Sequence, residues 1–94
     1  MSAALLVMRP SDANALAAIH SAGFERPWSA ASFETLLASP STLALGVSGS
    51  EGSIAAFILV TVVSGEAEVL TLATDPGALR QGHARHLLGA MIRQ

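Results

Sequence analysis

The stretch Val69-Leu70-Thr71-Leu72-Ala73-Thr74-Asp75-Pro76-Gly77-Ala78-Leu79-Arg80-Gln81-Gly82-His83-Ala84-Arg85-His86-Leu87-Leu88 decides how this chain is read. Its first six residues suit a buried strand, and Asp75-Pro76-Gly77 is a turn. From Gly82 onward Ala84, Leu87, Leu88 and Met91 recur at helical spacing, with Arg85 and Arg93 outside that stripe. The loop between strand and helix thus delivers arginine, glycine and alanine to a helix start. The first amides of a helix lack intrahelical acceptors, and the macrodipole adds about half a positive charge there, so a phosphate or pyrophosphate finds a seat. Gly82 and Ala84 leave room for a ligand to reach the amides, and Arg80 and Arg85 add charge-assisted bonds. The same residues also suit a plain tight turn before an amphipathic helix, and their spacing leaves both readings open. Two other phosphate loops are excluded. The chain has no lysine for G-x-x-x-x-G-K-[ST], and Gly82 stands alone where G-x-G-x-x-G needs three glycines.

Upstream, the pattern is strand, two helices, then strands. Ala4 to Met8 is a short apolar run ended by Arg9-Pro10. Ser11 or Asp12 is positioned to cap a helix over Ala13 to Gly23, with Ala15, Leu16 and Ile19 on one side and Asn14 and His20 on others. Phe24-Glu25-Arg26-Pro27-Trp28 reads as a turn, and Ser29 caps a second helix, Ala30 to Ala38, that presents Phe33, Leu36 and Leu37. The period then changes. Thr42 to Val47, Ile54 to Val63 and Glu66 to Thr74 are strands, separated by Ser48 to Ser53 and by Ser64-Gly65. The fold class is α/β (α+β), in the order β-α-α-β-β-β-α, with a mostly antiparallel sheet.

Composition narrows the function. Of 94 residues 51% are hydrophobic and 13% charged, with a net charge of −2, which excludes a disordered chain. The longest apolar run, Ile54 to Val63, falls well short of the roughly 20 residues that span a bilayer. The N-terminus lacks the basic region of a secretory leader. Without cysteine there is no disulfide framework or thiolate nucleophile. Five arginines against seven acids speak against a nucleic-acid binder. The expectation is a cytoplasmic protein, without nucleic-acid or membrane partners.

The quoted stretch resembles motif A of the GNAT superfamily of acetyl-CoA-dependent N-acetyltransferases, Q/R-x-x-G-x-G/A, here Leu79-Arg80-Gln81-Gly82-His83-Ala84. Leu72-Ala73-Thr74-Asp75-Pro76 resembles the family's apolar-Ala-Val-Asp-Pro. Arg26-Pro27-Trp28-Ser29 with Phe33 resembles the Pro-Trp-Ser element of the ribosomal-protein alanine N-acetyltransferase branch, the RimI type. The resemblance covers nearly the whole chain and implies acetyl-CoA as co-substrate without a metal. The backbone of Leu72, Ala73 and Thr74 would hydrogen-bond the pantetheine arm, and the amides of Arg80, Gln81, Gly82, His83, Ala84 and Arg85 would cradle the pyrophosphate. Leu79 departs from the motif, replacing a polar residue, which implies weakened binding.

The same resemblance implies an acceptor amine, either the N-terminal α-amine of a ribosomal or other protein or a small molecule. Glu68 stands where some members of the superfamily carry a general base, though an edge carboxylate on a solvated strand suits it too. Trp28 lines the acceptor groove or belongs to the core. His83 and His86 sit three apart and could supply two metal ligands, but without a third the expectation is solvent-facing helix residues and no metal. In the RimI-type branch the remaining acid and base follow motif A, and this chain has no tyrosine. Residues 1–94 are therefore expected to form one incomplete domain, the cofactor-binding half, inactive alone or reduced to a CoA-binding or interaction fragment. Its last strand would have a bare edge open to pairing with a second copy.

Overall fold

The structure, a computed structural model, describes residues 5–49, 53–79 and 82–92. Four strands form one antiparallel sheet in the order β1-β2-β3-β4: β1 Leu5–Val7, β2 Thr42–Ser48, β3 Ile54–Val63 and β4 Glu66–Thr74. Three helices cover it, α1 Ala13–Gly23, α2 Ala30–Ala38 and α3 His83–Ile92. The expected fold class and element order are observed, and every strand pair is antiparallel.

β3 organises the core because both of its faces are covered. Ala55 through Val60 are all buried, and their side chains divide by parity between two clusters. Phe57 and Leu59 join Leu16 and Ile19 of α1 and Phe33 of α2 on one face. Ala56, Ile58 and Val60 join Val47 of β2 and Leu87 of α3 on the other. A strand buried on both sides reads as a continuous branched run, which is how Ile54–Val63 looks in the sequence.

Two local devices shape the sheet edges. In β2, Gly46 makes a notch, since a Cβ there would stand 2.7 Å from the Cε and 2.8 Å from the Sδ of Met8. Met8, only 6% exposed, fills the notch and fastens the end of β1. In β4 the register slips between Leu59 opposite Thr71 and Val60 opposite Val69, leaving Leu70 as an unopposed bulge residue. A bulge turns two successive side chains toward one face. Leu70 accordingly packs on the α1–α2 cluster while Thr71 is buried against α1.

Some local expectations are revised. Neither Ser11 nor Asp12 caps α1 with its side chain. A 3-10 turn, Pro10–Asp12, comes first, and the Asp12 carboxylate accepts the Arg9 amide at 2.8 Å. Ala15 is exposed while Ala13 is buried, and in α3 Leu88 is 39% exposed. The buried side of α3 is Leu87 and Ala90, with Met91 packed alongside; adjacent helical positions lie about 100° apart, so with Leu87 aimed at the sheet Leu88 turns toward solvent. Among the described residues, no helix is long and apolar enough to cross a membrane.

Candidate functional site

The candidate site is built where β4 hands over to α3. β4 is the last strand of the described sheet, so one side of it faces no neighbour there. The Asp75 amide donates to the Ala55 carbonyl at 2.7 Å, which fixes the parity of the ladder. In an antiparallel pair the residues alternate between bonding the partner strand and pointing away. The peptide groups of Ala73 therefore turn toward β3, and those of Leu72 and Thr74 turn to the free edge. The Ala73 side chain is buried toward α1, while Leu72 packs below α3.

Past β4 the chain closes a tight turn. Asp75 Oδ1 accepts the Gly77 amide at 2.8 Å, and the Asp75 carbonyl accepts the Ala78 amide at 2.8 Å. Leu79 follows, 58% exposed. Arg80 and Gln81, two of the residues expected at the pyrophosphate, lie outside the described residues. Gly82 opens α3 with φ +77°, and its carbonyl accepts the His86 amide at 3.0 Å. That φ is strongly disfavoured for residues with a Cβ. An added Cβ would meet nothing within 4 Å, so glycine is required here by the backbone. It leaves open space before the first amides of the helix. Ala84 is half-buried and Arg85 exposed at this end.

Glu68 lies near the hairpin end of β4, opposite Thr61 and exposed. Parity places it on the α1–α2 face of the sheet, beyond the cover of those helices, beside a shallow recess lined by Thr61, Ser64 and Glu66. His83 and His86 are half-buried rather than solvent-facing. Among the described residues no three His, Cys, Asp or Glu side chains gather to hold a metal.

Trp28 is half-buried and serves two surroundings. Its ring stacks on His20 at 5.0 Å and meets Phe33 at 5.5 Å. It also borders an open recess with Ala31, Ser32, Thr35 and Leu36 on α2. His20, which the helical pattern sets among the polar positions of α1, is only 2% exposed. Its Nδ1 accepts the Trp28 backbone amide at 3.0 Å, and its Nε2 lies 3.1 Å from Thr71 Oγ1. Because a backbone amide can only donate, Nδ1 must be the acceptor and Nε2 must carry the proton. Burial pushes the imidazole below its ordinary value of 6.5. The signal for this residue lay in the aromatic spacing Phe24, Trp28, Phe33, which surrounds the ring.

The arrangement has counterparts among solved structures. No protein-family model and no curated protein matches the chain. The crystal structure of the ribosomal-protein-S18-alanine N-acetyltransferase from Escherichia coli superposes with a TM-score of 0.87 at 29% identity, covering 96% of this chain and 57% of that one. Its fold is that of the GNAT acetyltransferases. The same GNAT fold is shared with a ribosomal-protein-alanine N-acetyltransferase from Brucella melitensis biovar Abortus 2308 (TM-score 0.77, 18% identity, 98% of this chain and 70% of that one). It is shared too with NAA60 of Arabidopsis thaliana, solved in complex with acetyl-CoA (TM-score 0.80, 15% identity, 96% and 65%). The chain spans 57% of the length of the E. coli enzyme.

Proposed function

We propose that residues 1–94 form the acetyl-CoA-binding half of an N-acetyltransferase domain that moves an acetyl group from acetyl-CoA to an amine. The observation that carries this reading is the junction of β4 and α3, where a free strand edge leads through a fixed turn to a glycine-opened helix start. The outward peptide groups of Leu72 and Thr74 would pair with the pantetheine arm as a further strand does, and Ala73 would keep that edge straight by holding β3. The amides of Arg80, Gln81, Gly82, His83, Ala84 and Arg85 would hold the pyrophosphate, with the Arg80 and Arg85 side chains adding charge.

An ammonium acceptor must lose a proton before its nitrogen attacks the thioester carbon, and the departing CoA thiolate must gain one. Glu68 would take that first proton, a role supported by its position on the α1–α2 face, the side of the sheet that Trp28 borders. A strand amide exposed at the β4 edge suits the oxygen of the tetrahedral intermediate. Trp28 and the recess along α2 would receive the acceptor.

The favoured acceptor is the N-terminal α-amine of a ribosomal or other protein, supported by the likeness to the E. coli S18-alanine enzyme and by Pro27-Trp28-Ser29. Calorimetric titration of a complete domain carrying residues 1–94 with acetyl-CoA, followed by transfer assays on N-terminal peptides and small amines in parallel, tests it, with residues 1–94 alone expected to give no transfer. Heat of binding and transfer to peptides are the expected results. Transfer to small amines alone moves the reading to a small-molecule enzyme, binding without transfer leaves a CoA-binding module, and no binding overturns it. The bare edge of β4 also offers a second copy an antiparallel partner, and light scattering across a concentration series tests that pairing.

A further inference from the structure

His20 joins three parts of the molecule that are distant in sequence. From α1 it reaches Thr71, 51 residues away beside the β4 bulge, and the Trp28 amide at the entrance to α2. Its ring lies flat on Phe24 at 3.9 Å and 6° and stacks on Trp28, with the edge of Phe33 against it. Phe33 in turn meets Phe57 of β3 edge-on at 5.5 Å. The loop from Phe24 to Trp28 is otherwise exposed apart from Trp28, so its bond to β4 runs through this one imidazole. The bulge at Leu70 is what turns Thr71 toward α1. Without that slip the Thr71 hydroxyl would lie on the face that α3 covers.

We propose that His20 is a positioning residue for acetyl transfer, a two-ended clamp that fixes the acceptor-side loop Phe24–Trp28 against the bulge of β4. The clamp rests on the acetyltransferase reading, in which β4 carries the acetyl donor and Trp28 borders the acceptor. It works only as the neutral Nε2–H tautomer, because its two ends need opposite roles, an acceptor for Trp28 and a donor for Thr71. The groups facing the ring are Phe24 and Trp28 from the loop, Phe33 from α2 and Thr71 from β4. None is charged, so nothing compensates a second ring proton. A protonated ring would set an N–H against the Trp28 N–H and open the clamp.

Two substitutions take the ends apart. His20→Asn sets an amide oxygen near the Nδ1 position and keeps the acceptor for Trp28, whereas His20→Gln keeps a donor toward Thr71 and loses that acceptor. Thr71→Val removes the far end with little change of shape. Hydrogen exchange at the Trp28 amide is expected to speed at least tenfold in His20→Gln and to change less than threefold in His20→Asn. Wild-type exchange, corrected for pH, should also speed as pH falls below about 6.5, where the unfolded imidazole takes up a proton that the buried ring resists.

In transfer assays on the complete domain carrying residues 1–94, His20→Gln and Thr71→Val are expected to raise the acceptor KM about tenfold while acetyl-CoA affinity stays within twofold. Equal Trp28 exchange in the Gln and Asn variants, or an unchanged acceptor KM in His20→Gln, overturns the clamp and leaves the acetyltransferase reading standing. Wild-type protein that binds no acetyl-CoA, or transfers to no acceptor, overturns that reading and the acceptor role of His20 with it.

Discussion

Helices α2 and α3 begin alike and end their first turns differently. Ser29 and Gly82 each accept, through the carbonyl, the amide four residues on, from Phe33 at 3.1 Å and from His86 at 3.0 Å. Ser29 then folds its own hydroxyl over the helix start and accepts the Ser32 amide at 3.2 Å. Gly82 has no side chain to do this, and its φ of +77° sets the approach to the first turn in open space. A helix start that satisfies itself is a structural joint. One that a glycine leaves open at the end of a free strand is built for something that arrives from outside.

The largest effect should come from filling the open start. Gly82→Val places a β-branched residue at a positive φ, which costs about 1–3 kcal/mol of stability, and acetyl-CoA affinity should fall more than tenfold by calorimetry. Gly82→Asn separates the two contributions. Asparagine tolerates the left-handed region, so chemical denaturation should register a loss of less than about 1 kcal/mol, while the side chain over the amides still lowers affinity about tenfold. Retained affinity in that variant would place the ligand elsewhere. At the self-satisfied start, Ser29→Ala should cost about 1 kcal/mol and leave acetyl-CoA affinity unchanged, the reverse of Gly82→Asn. The smallest change is expected at Leu79, where Leu79→Arg adds a cation near the open start and should tighten acetyl-CoA about threefold in low salt, with the gain lost in high salt.

Most of the fold was legible because its punctuation is local. Asp75-Pro76-Gly77, Ser64-Gly65 and Ser29 act on their own neighbours in sequence, and between them the helices keep a period of 3.6 while β3 stands out as a continuous branched run. The open helix start was legible for the same reason, since Gly82 and the apolar stripe that follows are neighbours in sequence. His20 was not. Helical periodicity counts histidine as polar and sends it outward; the aromatic spacing Phe24, Trp28, Phe33 and the Trp28 amide are local, but the far partner, Thr71, is supplied by a register slip in β4, 51 residues away. The bulge itself leaves no mark in Val69-Leu70-Thr71-Leu72, where any one of four apolar or branched residues could be the extra one. Leu88 was misplaced because it adjoins Leu87, and both suit an apolar stripe until the sheet selects one.

Met8, lodged in the notch at Gly46, gives the molecule a chemical clock. A sulfoxide adds an oxygen to a sulfur whose side chain is only 6% exposed and lies over Gly46. Peroxide therefore reaches the Met8 thioether more readily when the three-residue strand β1 lifts away. The rate at which Met8 oxidises, measured by mass spectrometry against the more accessible Met91, is the rate at which that edge of the sheet breathes. Ageing in air would then begin at Met91 on α3 and reach the first strand later, as that edge opens.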